Sequence, residues 1–276
     1  MTDLHEKATN AVTWLFVPAS RPDRFDKALS AGADLVIVDL EDAVDAPEKA
    51  AARQNVAELL GRRQDIIVRI NARATPWFEE DCSLVSEIAC GVMLPKTEGA
   101  DDLRLVRARS EGTVVIGLIE TAHGVLNAPG IASAATRLAF GNADLAAELG
   151  VAPDDREALA WSRGGVVAAS AAHRLPGPID GVTLRMDDPG LVLSDAEDAR
   201  RHGFGGKLCI HPAQLSTVTE AFSPTDEELR WALSVASTGD GVSSVDGIMV
   251  DAPVKARAER LLLRAGLDIS GHPDPQ

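Results

Sequence analysis

Short apolar runs recur along this chain, each stopping at a polar residue capable of chemistry, and stretches with helical spacing lie between them. Residues 11–19 lead into Arg21, and residues 35–38 run into Asp39, Glu41 and Asp42. Residues 66–68 reach Arg69 and Asn71, and a weaker run at 91–94 ends in Pro95 and Lys96. Residues 114–119 precede Glu120, residues 137–141 precede Asp144, and runs at 179–184 and 207–210 end near Arg185 and His211. Runs this short and this continuously apolar suit strands buried on both faces of a parallel sheet. The intervening stretches, such as 47–60, 98–109 and 152–174, carry helical periodicity.

Repeated strand and helix alternation gives either an open doubly wound sheet or a closed barrel. Eight strand candidates in one chain of this length favour an α/β fold of the TIM (β/α)8 barrel type. In such a barrel the carboxyl ends of the strands share one rim, so Arg69, Glu120 and Asp144 converge although they are far apart in sequence. The 276 residues, 45% of them hydrophobic, suffice for a large core. We divide them into a catalytic barrel over residues 1–222 and a C-terminal helical extension or lid over 223–276.

The formal charge of -15 argues against a general nucleic-acid or membrane-surface binder, because those surfaces repel an acidic protein. The apolar runs are too short to span a bilayer, and residues 1–10 are polar with no signal-peptide hydrophobic region, so a cytoplasmic protein is expected. The three cysteines, Cys82, Cys90 and Cys209, form no CxxC pair and read as reduced core thiols. The histidines form no HExxH motif, and there is no GxSxG elbow. Gly203-Phe204-Gly205-Gly206-Lys207 is not a phosphate loop: Arg201 stands at the first glycine position, Leu208 replaces the hydroxyl residue, and the segment precedes a strand.

The strongest chemical reading is a hard metal ion, Mg²⁺, held by Glu120 and Asp144, since Mg²⁺ takes one or two protein carboxylates and leaves its other positions to water and substrate. An α-oxo or α-hydroxy acid would then bind at the same two residues, with Arg69 offering a fixed positive fork to a developing oxyanion. Glu41, at the same rim, joins Arg69 as a catalytic candidate. Acids at such positions also suit solvated loops or helix caps, but their placement after successive strands favours the metal. Arg69 could instead serve only as an ion-pair partner of Asp39 or Glu41. Lys96 invites a Schiff-base mechanism, against which the nearby carboxylates would hold it as a charged ammonium. His123 and His211 suit packing or helix ends as well as catalysis.

At these residues the chain resembles the HpcH/HpaI aldolase family, more closely its citrate lyase β-subunit-like branch with malyl-CoA and citramalyl-CoA lyases. The resemblance runs over Leu15-Phe16-Val17-Pro18-Ala19 with Arg24 and Lys27, Asp39-Leu40-Glu41-Asp42-Ala43-Val44, Val68-Arg69-Ile70-Asn71 and Leu94-Pro95-Lys96. It continues through Ile119-Glu120-Thr121-Ala122, residues 141–145 and Gly206-Lys207-Leu208-Cys209-Ile210-His211-Pro212. It implies a homotrimer, a CoA thioester substrate and Mg²⁺ on Glu120 and Asp144, with Arg24 and Lys27 near the CoA phosphates. In Gly247-Ile248-Met249-Val250-Asp251-Ala252-Pro253, Asp251 reads on its own as a helix N-cap, with Pro253 in the first turn. The resemblance adds that Asp251 covers a neighbouring subunit's mouth and handles the proton of an acetyl-CoA enolate; Val250 stands where isoleucine is more usual. The implied activity is cleavage of a 3-hydroxyacyl-CoA to acetyl-CoA and a 2-oxoacid, with condensation or thioester hydrolysis on the same scaffold. The alternatives are an aldolase for free hydroxy-oxoacids and a citrate lyase subunit without independent activity.

Overall fold

The computed structural model describes residues 4–87, 90–110, 112–238, 243–245 and 248–267. The chain divides into two compact units, Met1–Phe222 and Ser223–Gln276. In the first, eight strands form a closed barrel: β1 (Thr13–Pro18), β2 (Leu35–Asp39), β3 (Ile67–Arg69), β4 (Gly91–Leu94), β5 (Val115–Ile119), β6 (Arg137–Phe140), β7 (Ile179–Asp180) and β8 (Gly206–Cys209). Every neighbouring pair is parallel, and β1 closes on β8 with Trp14 opposite Leu208. This is the expected TIM (β/α)8 barrel.

The two-residue period of each strand sorts its side chains into two cores. Trp14, Leu35, Ile37, Ile67, Met93, Ile116, Leu118, Ala139, Ile179 and Leu208 pack together inside the barrel. Their neighbours Leu15, Val36, Val38, Val68, Val92, Val115, Leu138 and Phe140 pack outward against helix residues such as Ala52, Val56 and Leu59. Those three helix residues lie one turn apart on the helix Lys49–Leu60 and give it its buried stripe. Gly91 makes room for the inner core, since a Cβ there would stand 2.2 Å from Ile67 Cδ1 and that side chain would have to shift. The amino-terminal end of the barrel is closed by the helix Leu4–Asn10, whose Ala8 joins the inner core. Arg137, the first residue of β6, binds it there by donating to the carbonyls of Ala8 (2.9 Å), Ala11 (2.8 Å) and Gly177 (2.8 Å).

Two local features differ from the expectation. The run at 179–184 contributes only Ile179–Asp180 to the ladder, because the Asn142 side chain takes both the N–H (2.9 Å) and the carbonyl (3.1 Å) of Val182. Asp144 does not follow β6 directly; it sits in the first turn of the helix Asn142–Leu149.

The second unit contains the helices Asp226–Ala236 and Ala252–Arg264, the first opened by a Thr225/Glu228 capping box. Between them lies an antiparallel pair, β9 (Ser243–Val245) and β10 (Ile248–Val250), so the extension is not purely helical. Ala232, Val235, Val250, Ala258, Leu261 and Leu262 form its own small core.

Candidate active site

The carboxyl ends of β2 to β6 bring together most of the residues singled out from sequence. Asp39, the last residue of β2, is buried and its carboxylate accepts the N–H groups of Glu41 (2.9 Å) and Ala43 (3.1 Å). It also clamps Arg69, the last residue of β3, through Nε–Oδ1 and Nη2–Oδ2 contacts of 2.7 Å each. Arg69 Nη1 lies 3.0 Å from Glu41 Oε2, and the guanidinium rests over the Phe16 ring at 4.8 Å. The ion pair with Asp39 and Glu41 therefore exists. It fixes the guanidinium in one plane, and N–H donors on Nη1 and Nη2 remain for a ligand.

Glu41 is itself held from behind. Lys49, buried on its helix, donates to the carbonyls of Leu40 (2.7 Å) and Glu41 (2.8 Å) and to Asn71 Oδ1 (2.7 Å). Asn71 in turn donates to the buried Asp81 carboxylate from Nδ2 (2.6 Å) and from its backbone N–H (2.8 Å).

Lys96, after β4, adopts a left-handed backbone conformation at φ 47°. Its N–H donates to Glu120 Oε1 at 2.9 Å, while its ammonium lies 2.8 Å from Asp144 Oδ2, 3.0 Å from Glu41 Oε1 and 4.0 Å from Glu120 Oε1. Three carboxylates, two from the segments after β2 and β5 and one from the first turn of the helix Asn142–Leu149, thus surround one cationic nitrogen. Glu120 is seated by Gly141 as well, where a Cβ would stand 2.5 Å from both Cβ and Oε2 of Glu120.

Burial, reinforced by the charge of Glu41 and opposed by Arg69 and Lys96, pushes the Glu120 carboxyl up to about 8. Burial also raises Glu41, against the pull of Arg69. Burial acts to lower Lys96, but the hydrogen bond to Asp144 and the charges of Glu41 and Glu120 outweigh it and hold the amine above its ordinary value. A Schiff-base lysine needs the opposite shift. Arg69 is likewise held above its usual value by Asp39 and Glu41 despite burial.

The donor set fits a hard divalent ion. Glu120 and Asp144 both face a single cation position, their oxygens match the preference of Mg²⁺, and the Asp144 side chain is 38% exposed, so water and a ligand can complete the shell. No cluster of three or more metal-ligating side chains occurs among the described residues; a two-carboxylate site does not need one.

Arg24 and Lys27 are exposed on the turn Pro22–Arg24 and the helix Phe25–Leu29 that follow β1, and neither makes a salt bridge among the described residues. Arg21 is forked onto Asp23 instead. Asp251 caps the helix Ala252–Arg264 in the second unit, accepting the Val254 N–H at 3.2 Å, whereas Gly247 of the same motif lies outside the described residues. His211 caps a short turn through Ala213, and His123 is exposed. The three cysteines are buried and unpaired, and burial pushes Cys90 and Cys209 up to about 12. Asp39 and Lys96 are site residues to which the sequence assigned no catalytic or binding role. An Arg69 ion pair with Asp39 and a charged Lys96 among carboxylates were both expected, but not the bidentate clamp or the bridge between Glu41 and Asp144.

Known proteins share this arrangement of fold and sequence. A citrate lyase subunit beta-like protein of Mycobacterium tuberculosis is 38% identical over 266 residues, covering 92% of this chain and 95% of the relative. A (3S)-malyl-CoA thioesterase of Cereibacter sphaeroides is 36% identical over 253 residues, covering 86% and 88%. The crystal structure of CitE from Mycobacterium tuberculosis in complex with magnesium, acetoacetate and coenzyme A superposes with a TM-score of 0.82 at 36% identity, covering 94% of this chain and 99% of that one. Residues 13–212, from β1 to just past β8, match the family model for HpcH/HpaI aldolase/citrate lyase, and the chain belongs to that family of enzymes, among its citrate lyase β-subunit-like members.

Proposed function

We propose that this enzyme is a Mg²⁺-dependent CoA-ester carbon–carbon lyase that cleaves a 3-hydroxyacyl-CoA of the malyl-CoA or citramalyl-CoA type to acetyl-CoA and a 2-oxoacid. The observation that carries this reading is the convergence of Glu120 and Asp144 on one cation position beside a clamped Arg69. Support comes from the relative solved with magnesium, acetoacetate and coenzyme A.

Glu120 and Asp144 would hold the ion, which when bound supplies Lewis-acid polarisation of a hydroxy- or oxo-acid. Arg69, unable to lose its proton, stabilises the oxygen that becomes the carbonyl of the 2-oxoacid. In the cleavage a solvent base takes the hydroxyl proton, the bond between the carbinol carbon and the thioester α-carbon breaks with its electron pair left on the thioester side as an enolate, and that enolate takes up a proton from the carboxyl group of Asp251 of the partner subunit. Glu41, on Arg69 and Lys96, keeps both cations in register. Arg24 and Lys27 meet the CoA phosphates. The same reading makes the enzyme a cytoplasmic homotrimer, an assembly state that gel filtration measures directly. A panel of malyl- and citramalyl-CoA esters, assayed with and without Mg²⁺ for acetyl-CoA and 2-oxoacid, tests the function. The thioesterase relative favours a second reading, hydrolysis, in which free CoA and malate appear and no 2-oxoacid does.

Two further results are expected. Arg24→Ala should raise KM for the CoA ester roughly tenfold and leave kcat unchanged, as befits one lost charge-assisted phosphate contact; an unchanged KM removes Arg24 from the CoA site. Mg²⁺ affinity should rise with pH, because the proton on Glu120 must leave before its carboxylate can bind a cation. Below about 8 each pH unit is worth about a factor of ten, with a plateau above. The raised carboxyl also favours the protonated fold, a contribution complete below the ordinary glutamate range and lost as pH climbs through about 8, so this group should lower the melting temperature over that window when no cation is added. Calorimetric Mg²⁺ titrations from pH 6 to 9 that show a flat affinity would contradict the assignment.

A further inference from the structure

We propose that the Lys96 ammonium is a tethered counter-cation that competes with the divalent ion for Glu120 and Asp144, and so sets how tightly and how reversibly this site holds metal. The proposal rests on the reading of those two carboxylates as the metal ligands. The Lys96 nitrogen lies 2.8 Å from Asp144 Oδ2 and 4.0 Å from Glu120 Oε1, a position from which it neutralises the same oxygens that a hard cation would need. An ammonium and a divalent ion repel each other when they share one carboxylate in a half-buried site, so each must weaken the binding of the other.

Three features make this placement specific. The backbone of Lys96 is held at φ 47°, a conformation that side-chain-bearing residues seldom adopt, and the same turn points its N–H at Glu120 Oε1 (2.9 Å). One residue therefore both orients a metal ligand through its main chain and shields it through its side chain. The third feature is Glu41, whose Oε1 lies 3.0 Å from the ammonium. When a divalent ion takes Asp144, Lys96 retains this second carboxylate and is not left as an uncompensated charge. The exchange amounts to a short swing of a flexible side chain between two acids, with the backbone contact to Glu120 kept throughout.

The test is direct cation binding, independent of turnover. Purified full-length wild type, Lys96→Met, Lys96→Gln and Asp144→Asn would be titrated with Mg²⁺ by calorimetry and with Mn²⁺ by paramagnetic resonance, each melted with and without the ion. Met and Gln both keep a Cβ and a stem, so the left-handed turn is disturbed equally little and either variant can carry the result. The expected result is binding at least about tenfold tighter in Lys96→Met and Lys96→Gln than in wild type. With it should come a lower melting temperature without cation and a larger upward shift on adding it. Equal or weaker binding in both variants, with wild type binding and Asp144→Asn not, overturns the competition and leaves the metal ligands standing. If neither wild type nor the Lys96 variants bind, the ligand assignment and the proposal both fall.

Discussion

Glu120→Ala is expected to lower kcat for Mg²⁺-dependent cleavage by at least about three orders of magnitude, the loss typical when a site's main source of charge stabilisation is removed. Among the described residues Glu120 is one of two carboxylates on the cation position that are not already committed to Arg69, and a water filling its place would bring no negative charge. Glu120→Gln separates metal binding from architecture, since an amide oxygen can still accept the Lys96 N–H at Oε1. It should fold as wild type does and still fail to bind Mg²⁺ tightly. Gly141→Ala should reproduce much of the defect from outside the reacting groups, because its Cβ would collide with the Cβ and Oε2 of Glu120. Coupled assays for the 2-oxoacid, with circular dichroism as the folding control, decide the matter. Full Mg²⁺-dependent turnover in Glu120→Ala would falsify the metal assignment.

Why this site could be read so far from sequence, and no further, follows from the kind of interaction at each residue. The apolar runs at 35–38 and 114–119 announce strands because burial on both faces of a barrel strand demands continuous hydrophobicity. A barrel then forces the residues after them, Glu41 and Glu120, onto one rim. Strand length was less legible: the segment 179–184, Ile179-Asp180-Gly181-Val182-Thr183-Leu184, keeps strand-like residues up to Leu184, yet β7 stops at Asp180 because a single side chain, Asn142, captures the backbone of Val182. Nothing in the local pattern of 179–184 encodes a competitor that sits forty residues away. The antiparallel β9–β10 pair left a clearer mark in the sequence, the Asp246-Gly247 dipeptide between its two short strands. Lys96 illustrates the opposite limit. Its charged state followed from the density of acids around the mouth, but its bridging of Glu41 and Asp144 joins the segments after β2, β4 and β6 and depends on a left-handed turn that a lysine does not advertise.

The second large effect should come from a residue that touches no substrate. Asp39→Ala removes both contacts that hold Arg69 in plane and leaves that buried guanidinium with Glu41, and a distant Asp42 at 3.8 Å, for neutralisation. It also strips the Glu41 and Ala43 N–H groups of their acceptor. Breaking one side of a buried pair typically costs about 3–5 kcal/mol, far more than the pair contributes relative to an apolar replacement. For a chain of this size that corresponds to a fall in melting temperature on the order of 10 °C. Arg69→Met alone should be destabilising for the mirror reason, since Asp39 is then the uncompensated buried charge. The double variant Asp39→Ala/Arg69→Met leaves neither, and its loss should be clearly smaller than the sum of the two single losses. Activity should not follow stability: the double variant remains inactive because the positive fork is gone, while Asp39→Asn, which can still accept from Arg69, should retain more turnover than Asp39→Ala. Thermal melts on the four variants, with kcat measured below their transitions, check the whole set. Additive losses in the double variant would show that Asp39 and Arg69 act independently, and the clamp would then have no part in orienting the guanidinium.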